Sequence, residues 1–272
     1  MVNGRLSERS LKRYQRVLGF AKTMLEAFTA IAAQSEGDAM RLRQLGGGKV
    51  RVDAVGNLKH DQPYPDEQVL AGRALRRVMG NRPIWIAAST REGEEEPIFE
   101  AFDRVRERFP NLLLLLVPRH PERFNQVAKL CADRGYRLVR RTEAVSEVAA
   151  DVDVFLGDTL GELSTFYAAA DLAFIGGSLA PLGGHNALEA AVLSVPVVIG
   201  PNYFNATEVT EALIAANAAY CVDNAESLAE RVNALLDDAS LREKMGASGR
   251  AFVKEGRGAL GRVLELIRSS LR

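Results

Sequence analysis

The stretch Phe174-Ile175-Gly176-Gly177-Ser178 is followed, after a short loop, by Gly183-Gly184-His185-Asn186-Ala187-Leu188-Glu189. The apolar residues before the first glycine pair predict a buried strand, and the second glycine pair is predicted to open a helix. Glycine lets the main chain approach a ligand closely, and the free N–H groups at a helix start suit a phosphate. We therefore expect the main-chain amides around residues 176–186 to cradle an anionic ligand. His185, Asn186 and Glu189 are expected to reach its sugar or ribose.

Six further apolar runs accompany this strand, and each is short and continuous, as is typical of strands buried on both faces. The seven predicted strands cover residues 84–88, 112–117, 137–139, 154–156, 172–175, 197–199 and 219–222. Helices are predicted between most of them and over 227–236, 240–253 and 258–271. This alternation predicts an α/β fold with one complete doubly wound, Rossmann-like domain, whose ligand sites lie on the loops after the strands.

The first 60 residues predict part of a second α/β domain. The expected elements are a helix over 8–28 capped by Ser7, a strand over 31–35, a helix over 36–45 that ends at three glycines, and a strand over 51–55. Glycine and prolines beyond residue 55 predict a linker. The predicted domain division is therefore 1–62 and 63–272.

Polar loops follow three more of the predicted strands. They are Ser89-Thr90-Arg91-Glu92-Gly93-Glu94, Pro118-Arg119-His120-Pro121 and Gly157-Asp158-Thr159-Leu160-Gly161-Glu162. Arg119 and His120 suit a phosphate or a base, and a glycine in the third loop lets a nucleobase lie against the main chain. Asp158 can instead cap the following helix. The run Glu94-Glu95-Glu96 is interpreted as the charged first turn of a helix.

Composition and charge restrict the class of protein. The chain has 272 residues, 47% of them hydrophobic, and no apolar run approaches the ~18 residues of a membrane-spanning helix. The formal net charge is zero, but residues 1–60 carry 11 basic against 5 acidic residues. This segment either faces an acidic partner, such as anionic lipid or a phosphorylated substrate, or is a solvated helix face. Without nucleic-acid motifs, no nucleic-acid partner is expected.

Three sequence features do not indicate a metal or phosphate site. Asp151-Val152-Asp153 leads into a strand, where successive side chains point to opposite faces, so a shared metal ion is disfavoured. Gly46-Gly47-Gly48-Lys49 precedes a strand instead of a helix, which is the wrong context for a phosphate loop. The two distant cysteines match no metal spacing. We expect no metal site and no cofactor.

A series of segments in order along the chain resembles the 3-deoxy-D-manno-octulosonic acid (Kdo) transferases of lipopolysaccharide synthesis. They are Asn3-Gly4-Arg5-Leu6-Ser7-Glu8-Arg9-Ser10, Ala33-Gln34-Ser35-Glu36, Gly56-Asn57-Leu58-Lys59, Ala88-Ser89-Thr90, Val117-Pro118-Arg119-His120-Pro121-Glu122-Arg123-Phe124, Gly157-Asp158-Thr159-Leu160-Gly161-Glu162-Leu163, Gly176-Gly177-Ser178-Leu179, Gly183-Gly184-His185-Asn186-Ala187-Leu188-Glu189 and Gly200-Pro201. The resemblance covers nearly the whole chain.

The resemblance implies a two-domain GT-B glycosyltransferase that moves Kdo from CMP-Kdo onto the lipid A precursor, without a metal. Residues 1–62 would be a remnant of the acceptor-binding domain with the linker, and residues 63–272 the donor-binding domain. The residues implied to bind the donor are Arg119, His120, Leu160, Gly161, Glu162, Gly176, Gly177, Ser178, Gly184, His185, Asn186, Ala187, Leu188 and Glu189. Lys59 is implied to stabilise the transition state.

The resemblance also implies features that this sequence departs from. Family members carry a full N-terminal domain with a membrane-anchoring stretch and the general-base glutamate, whereas this chain starts near the end of that domain. We therefore expect weak binding of CMP or CMP-Kdo and little transfer by the chain alone. The family works at the cytoplasmic face of the inner membrane, an anionic surface reached through that domain, and the chain without it is also compatible with the cytoplasm. Ala187 stands where the family has proline, a conservative change.

Two alternatives to a Kdo transferase remain open from the sequence. One is a non-catalytic CMP-binding remnant. The other is a different GT-B enzyme, such as a nucleotide-sugar epimerase, which would prefer UDP to CMP.

Overall fold

The computed structural model describes residues 1–61 and 66–271 and divides into two compact units. The first unit comprises Met1–Pro63 and Val253–Arg272, and the second comprises Tyr64–Phe252. The predicted domain boundaries differ from these units at the C-terminus. The prediction placed residues 253–272 in the second domain, whereas they belong to the first unit.

Twelve helices and nine strands occur in the described residues. The helices are α1 Glu8–Gln15, α2 Leu18–Glu26, α3 Glu36–Gly46, α4 Asp66–Met79, α5 Glu95–Arg106, α6 Phe124–Asp133, α7 Leu163–Ala169, α8 Leu188–Ala191, α9 Thr207–Ala215, α10 Ala225–Asp237, α11 Ala239–Glu255 and α12 Ala259–Ser270. The strands are β1 Ala30–Ala33, β2 Arg51–Ala54, β3 Ile84–Thr90, β4 Leu113–Pro118, β5 Leu138–Arg140, β6 Val154–Leu156, β7 Leu172–Ile175, β8 Val197–Ile199 and β9 Ala219–Cys221. Short 3₁₀ turns cover Leu58–Asp61, Pro121–Arg123 and Arg141–Glu143. None of these helices is both long and apolar enough to cross a membrane.

In the first unit, two parallel strands, β1 and β2, pack against α3, and α1 and α2 share a buried apolar cluster with them. Ser7 caps α1 as predicted, since its hydroxyl accepts a hydrogen bond from the Ser10 amide at 3.2 Å. The single helix predicted over 8–28 is wrong: Val17 leaves the helical region at φ −125°, ψ 43°, so the segment forms α1 and α2. The break lets Leu11 on α1 and Leu25 on α2 enter the same buried cluster.

The last helix, α12, completes the first unit. Val263 and Leu266 of α12 form a buried cluster with Ala32 and Val55. The Asp61 carboxylate accepts hydrogen bonds from the free amides at the start of the helix. The cap and the apolar cluster together join this distant segment to the N-terminal residues.

The second unit is built on a seven-stranded parallel sheet in the order β5-β6-β4-β3-β7-β8-β9. All seven strands occur where the apolar runs predicted them. β3 is buried along its whole length, and its side chains alternate between the two faces. Trp85 and Phe174 pack with residues of α5 and α10 on one face, while α4 packs against α7. The predicted doubly wound, Rossmann-like α/β domain is confirmed.

Candidate functional site

The order of the strands defines where a ligand can bind. On one side β3 pairs with β4, the next strand in sequence. On its other side β3 pairs with β7, and the sheet continues from there to β8 and β9. Strand order therefore reverses between β3 and β7. In open parallel sheets ligands bind at the carboxyl ends of the strands beside such a switch point. The loops that follow β3, β4 and β7 thus form the candidate site.

Main-chain hydrogen bonds join these three loops. The Arg119 amide donates to the Thr90 carbonyl at 3.0 Å, and the Gly176 amide donates to the Ala88 carbonyl at 2.8 Å. Ser89 lies in the left-handed region at φ 57°, where the pairing of β3 with β4 shifts register. A Cβ at Gly176 would lie 2.4 Å from the Ser89 carbonyl oxygen, so only glycine allows this approach.

A buried carboxylate occupies the main-chain amides after β7. Glu94, which is fully buried, accepts hydrogen bonds from the amides of Gly177 at 2.6 Å, Ser178 at 2.9 Å and Leu179 at 2.9 Å. It also accepts one from the Arg91 amide at 3.0 Å. The expectation that these amides are open to a phosphate is therefore corrected, because the protein's own anion saturates them. Direct donor contacts of Gly176, Gly177 and Ser178 stay a prediction.

The Ser178 side chain is also engaged inside the protein. Its hydroxyl donates to the Ile175 carbonyl at 2.5 Å and accepts from the Gly200 amide at 2.8 Å. The side chain has no exposed surface. These bonds hold the loop after β7 against the end of β8, so the hydroxyl acts as an internal tie between two loops.

The segment from Gly184 to Glu189 folds differently from the prediction. The Gly184 amide donates to the Gly177 carbonyl at 2.7 Å, and the His185 amide donates to the Gly176 carbonyl at 3.1 Å. The helix α8 begins only at Leu188 and has four residues, so the predicted helix start at Gly184 is wrong. The Asn186 side-chain oxygen accepts from the Leu188 amide at 3.2 Å. The protein's own carbonyls thus take up the two amides that the prediction offered to a phosphate.

The loops beside the switch point carry four basic side chains, three of which act electrostatically on the fourth, His185. Burial, as the largest cause, and the positive charges of Arg119, Arg91 and His120 together lower the pKa of His185 to about 4. His185 is therefore neutral at neutral pH. Within the described residues, neither Arg91 nor Arg119 has a carboxylate partner. We call Arg91, Arg119, His120 and His185 the basic cluster.

The loop after β6 lies on the far side of β4 from the switch point. Leu160 is 69% exposed, and Gly161 has φ 81°. The Glu162 carboxylate accepts from Arg141 at 2.8 and 3.1 Å and from the Thr159 hydroxyl at 2.5 Å. Burial acts to raise the pKa of Glu162, but these hydrogen bonds outweigh it and hold the pKa below its usual value. Glu162 is thus an ionised acceptor, suited to a hydroxyl group.

The remaining predicted residues differ in their exposure. Ala187 and Leu188 are almost fully buried, so only their main chain can meet a ligand. Glu189 lies near the buried Tyr167: burial raises the Tyr167 pKa well above its usual value, and the charge of Glu189 adds to the rise. Lys59 lies in the first unit, exposed, in the turn Leu58–Asp61. The donor roles of these residues and the role of Lys59 stay predictions.

Asp151, Asp153 and Asp158 are engaged by neighbouring residues. Asp158 accepts from the amide and hydroxyl of Thr142 at 3.0 and 2.8 Å, so it does not cap α7. Asp153 pairs with Arg106 at 2.6 Å, and Asp151 pairs with Arg137. Among the residues described, no group of three potential metal ligands occurs.

Sequence reasoning missed the importance of the glutamates after β3. Glu94 binds the amides, and Glu95 forms a buried bidentate pair with Arg123 at 2.8 and 2.9 Å and accepts from Thr90. Only Glu96 is the exposed first-turn residue that the run suggested. The available signal was the position of this run after an entirely apolar strand, since a central strand places its following loop at the switch point.

The chain is similar to known proteins in both of its units. Residues 1–62 match the family model described as 3-deoxy-D-manno-octulosonic-acid transferase (kdotransferase), and residues 96–252 match glycosyl transferases group 1. A 3-deoxy-D-manno-octulosonic acid transferase of Haemophilus influenzae is 40% identical over all of this chain. The chain spans 64% of the length of that relative.

Two solved structures extend the comparison. The C-terminal CMP-Kdo binding domain of WaaA from Acinetobacter baumannii is 33% identical, with a TM-score of 0.64 over 68% of this chain and 97% of that one. Anabaena HepE in complex with UDP and glucose is 17% identical, with a TM-score of 0.56 over 98% of this chain and 71% of that one, and it shows the fold alone. The predicted GT-B fold class is confirmed. The chain therefore belongs to the family of 3-deoxy-D-manno-octulosonic acid (Kdo) transferases.

Proposed function

We propose that the second unit binds CMP-Kdo, as the donor-binding part of an enzyme that transfers Kdo to the lipid A precursor in lipopolysaccharide synthesis. The observation that carries this proposal is the basic cluster, where Arg91 and Arg119 have no carboxylate partner among the described residues. A phosphodiester needs such a concentration of positive charge. The similarity to a CMP-Kdo binding domain supports cytidylate as the nucleotide.

The chemistry of transfer assigns tasks to these residues. The sugar carbon becomes cation-like as the CMP phosphate leaves, so donors aimed at the phosphate lower the barrier. Arg119 supplies fixed charge, and the neutral His185 supplies a hydrogen bond without proton loss. Glu162 accepts from a hydroxyl of the nucleoside, and Lys59 stabilises the transition state. Because guanidinium groups neutralise the leaving group here, the proposal requires no metal ion.

The proposal extends to the acceptor and its location. The acceptor is a lipid, so the whole enzyme would work at a membrane, at the cytoplasmic face where the nucleotide donor is available. The excess of basic residues in 1–60 would favour an anionic surface of this kind.

Isothermal titration of the chain with CMP, in buffer containing EDTA, tests the donor site. We expect saturable binding of CMP and weaker binding of UDP. Trp85, the one tryptophan of the sequence, is buried on β3 and reports through its fluorescence whether the second unit is folded. Absence of CMP binding by the folded protein would refute the proposal. Stronger binding of UDP than of CMP would favour a nucleotide-sugar epimerase or a related enzyme.

A further inference from the structure

Arg91 lies on the loop that comes directly after β3, the strand at the switch point. That position places it between the loops after β4 and β7. The neighbouring Thr90 carbonyl accepts from the Arg119 amide at 3.0 Å, so the main chains of the two arginines run side by side. Arg91 was assigned no role by the sequence motifs.

The charge of Arg91 acts on His185. Its charge, with that of Arg119, lowers the pKa of the half-buried His185 beyond the effect of burial. Among the described residues the Arg91 side chain has no ion pair, whereas Arg123 nearby is held by Glu95. An arginine kept without a carboxylate in such a position is available to an anionic ligand.

Glu94 fixes the loop that carries Arg91. One oxygen of its carboxylate, Oε2, accepts from both the Arg91 amide at 3.0 Å and the Gly177 amide at 2.6 Å. The other, Oε1, accepts from the amides of Ser178 and Leu179, each at 2.9 Å. The carboxylate thus bridges the loops after β3 and β7, and its full burial protects these charge-assisted bonds from water.

We propose that Arg91 binds the phosphate of the nucleotide donor together with Arg119, and that Glu94 is the positioning residue that holds Arg91 in place. The inference rests on the proposed function and adds two residues to its site. Because Glu94 fills the amides of residues 177–179, the donor phosphate needs other partners. Two guanidinium groups on adjacent loops supply them.

Titration of the full chain with CMP tests the role of Arg91. Arg91→Ala is expected to weaken CMP binding about 10- to 100-fold, the range for one hydrogen bond to a charged group. Arg104→Ala is the matched control, because Arg104 is 57% exposed on α5 and approaches Glu226 only at 3.9 Å. It removes the same charge and should leave the affinity within about twofold.

A double-mutant cycle tests how Glu94 acts. Glu94→Gln keeps the size of the side chain but removes its charge, and we expect it to weaken CMP binding in the wild-type background. In the Arg91→Ala background the same change should have little further effect, since a positioning residue acts through the residue it positions. Glu100→Gln, an exposed position on α5, controls for the loss of one carboxylate. If Glu94→Gln does not fold, Glu94→Asp, which keeps the charge, replaces it in the cycle.

The outcomes separate the inference from the proposed function. A folded wild-type chain that does not bind CMP refutes the proposed function, and the inference falls with it. A wild-type chain that binds CMP while Arg91→Ala binds equally well, or no worse than Arg104→Ala, refutes the role of Arg91 alone. An equal loss from the Glu94 substitution in both backgrounds refutes positioning through Arg91.

Discussion

Replacement of Gly176 by alanine tests the close contact on which the site is built. Gly176 does not have a positive φ, so alanine can adopt its main-chain conformation. The added methyl group, however, would lie 2.4 Å from the Ser89 carbonyl oxygen and 2.8 Å from the Thr90 Cα atom. The cost of this substitution is therefore steric.

The size of the cost follows from the geometry. Ordinary contact begins at 3.4 Å, so the loops after β3 and β7 must separate by about 1 Å. Both sides of the contact are main chain in a buried sheet, where no flexible side chain can move away. Overpacking of a core costs about 1–3 kcal/mol, and we expect the free energy of unfolding of the second unit to fall by about 3 kcal/mol, at the upper end of that range.

Urea denaturation followed by Trp85 fluorescence measures this loss, because Trp85 lies on β3 in the same unit. With a urea dependence of about 2–3 kcal/mol per molar, the midpoint should fall by roughly 1 M or more. Gly249→Ala on α11 is the matched control. Its added methyl group would lie 3.3 Å from the Ala191 Cβ atom, and alanine has the higher helix propensity at this helical position. A midpoint for Gly176→Ala equal to that of Gly249→Ala would refute the steric account of the site.

The remaining predictions concern charge. Because the folded-state pKa of His185 is about 4 and its ordinary value about 6.5, the unfolded chain binds more protons between these values. The stability that His185 confers is present above pH 6.5 and is lost as pH falls towards 4; His185→Gln should flatten denaturation midpoints across that window. Glu95→Gln or Arg123→Met alone should cost about 3–5 kcal/mol in urea denaturation, because each leaves a buried charge unpaired, and the double variant should cost less than the sum of both. Arg119→Ala should weaken CMP binding about tenfold or more by calorimetry, and an unchanged affinity would remove Arg119 from the site.

The strands could be predicted because burial dictates their composition. Apolar runs over residues 154–156, 172–175 and 197–199 coincide with β6, β7 and β8. A parallel strand covered on both faces has no polar positions, so its ends are visible in the sequence. The gathering of Arg119, His120 and His185 followed from the same logic, since the loops after parallel strands share one edge of the sheet.

The roles of the three glutamates and the helix break at Val17 depend on tertiary contacts, which sequence patterns do not show. Residues 94, 95 and 96 are all glutamates. The first binds main-chain amides, the second pairs with a buried arginine, and the third is exposed. Which glutamate turns inwards depends on the position of β7, which is distant in the chain. Likewise, the break at Val17 depends on the core that α1 and α2 share, and helical periodicity does not reveal it.

The carboxylate that fills the amides after β7 has a consequence for how this scaffold can change. A phosphate held by main-chain amides is recognised through backbone geometry, which most side-chain substitutions leave unchanged. Here the amides of residues 177–179 are committed to Glu94, so under the proposed function recognition of the phosphate falls to individual side chains on the neighbouring loops. Each of these can be exchanged by one codon change without rebuilding the backbone, and donor preference can therefore diverge among descendants of this fold while the architecture stays the same.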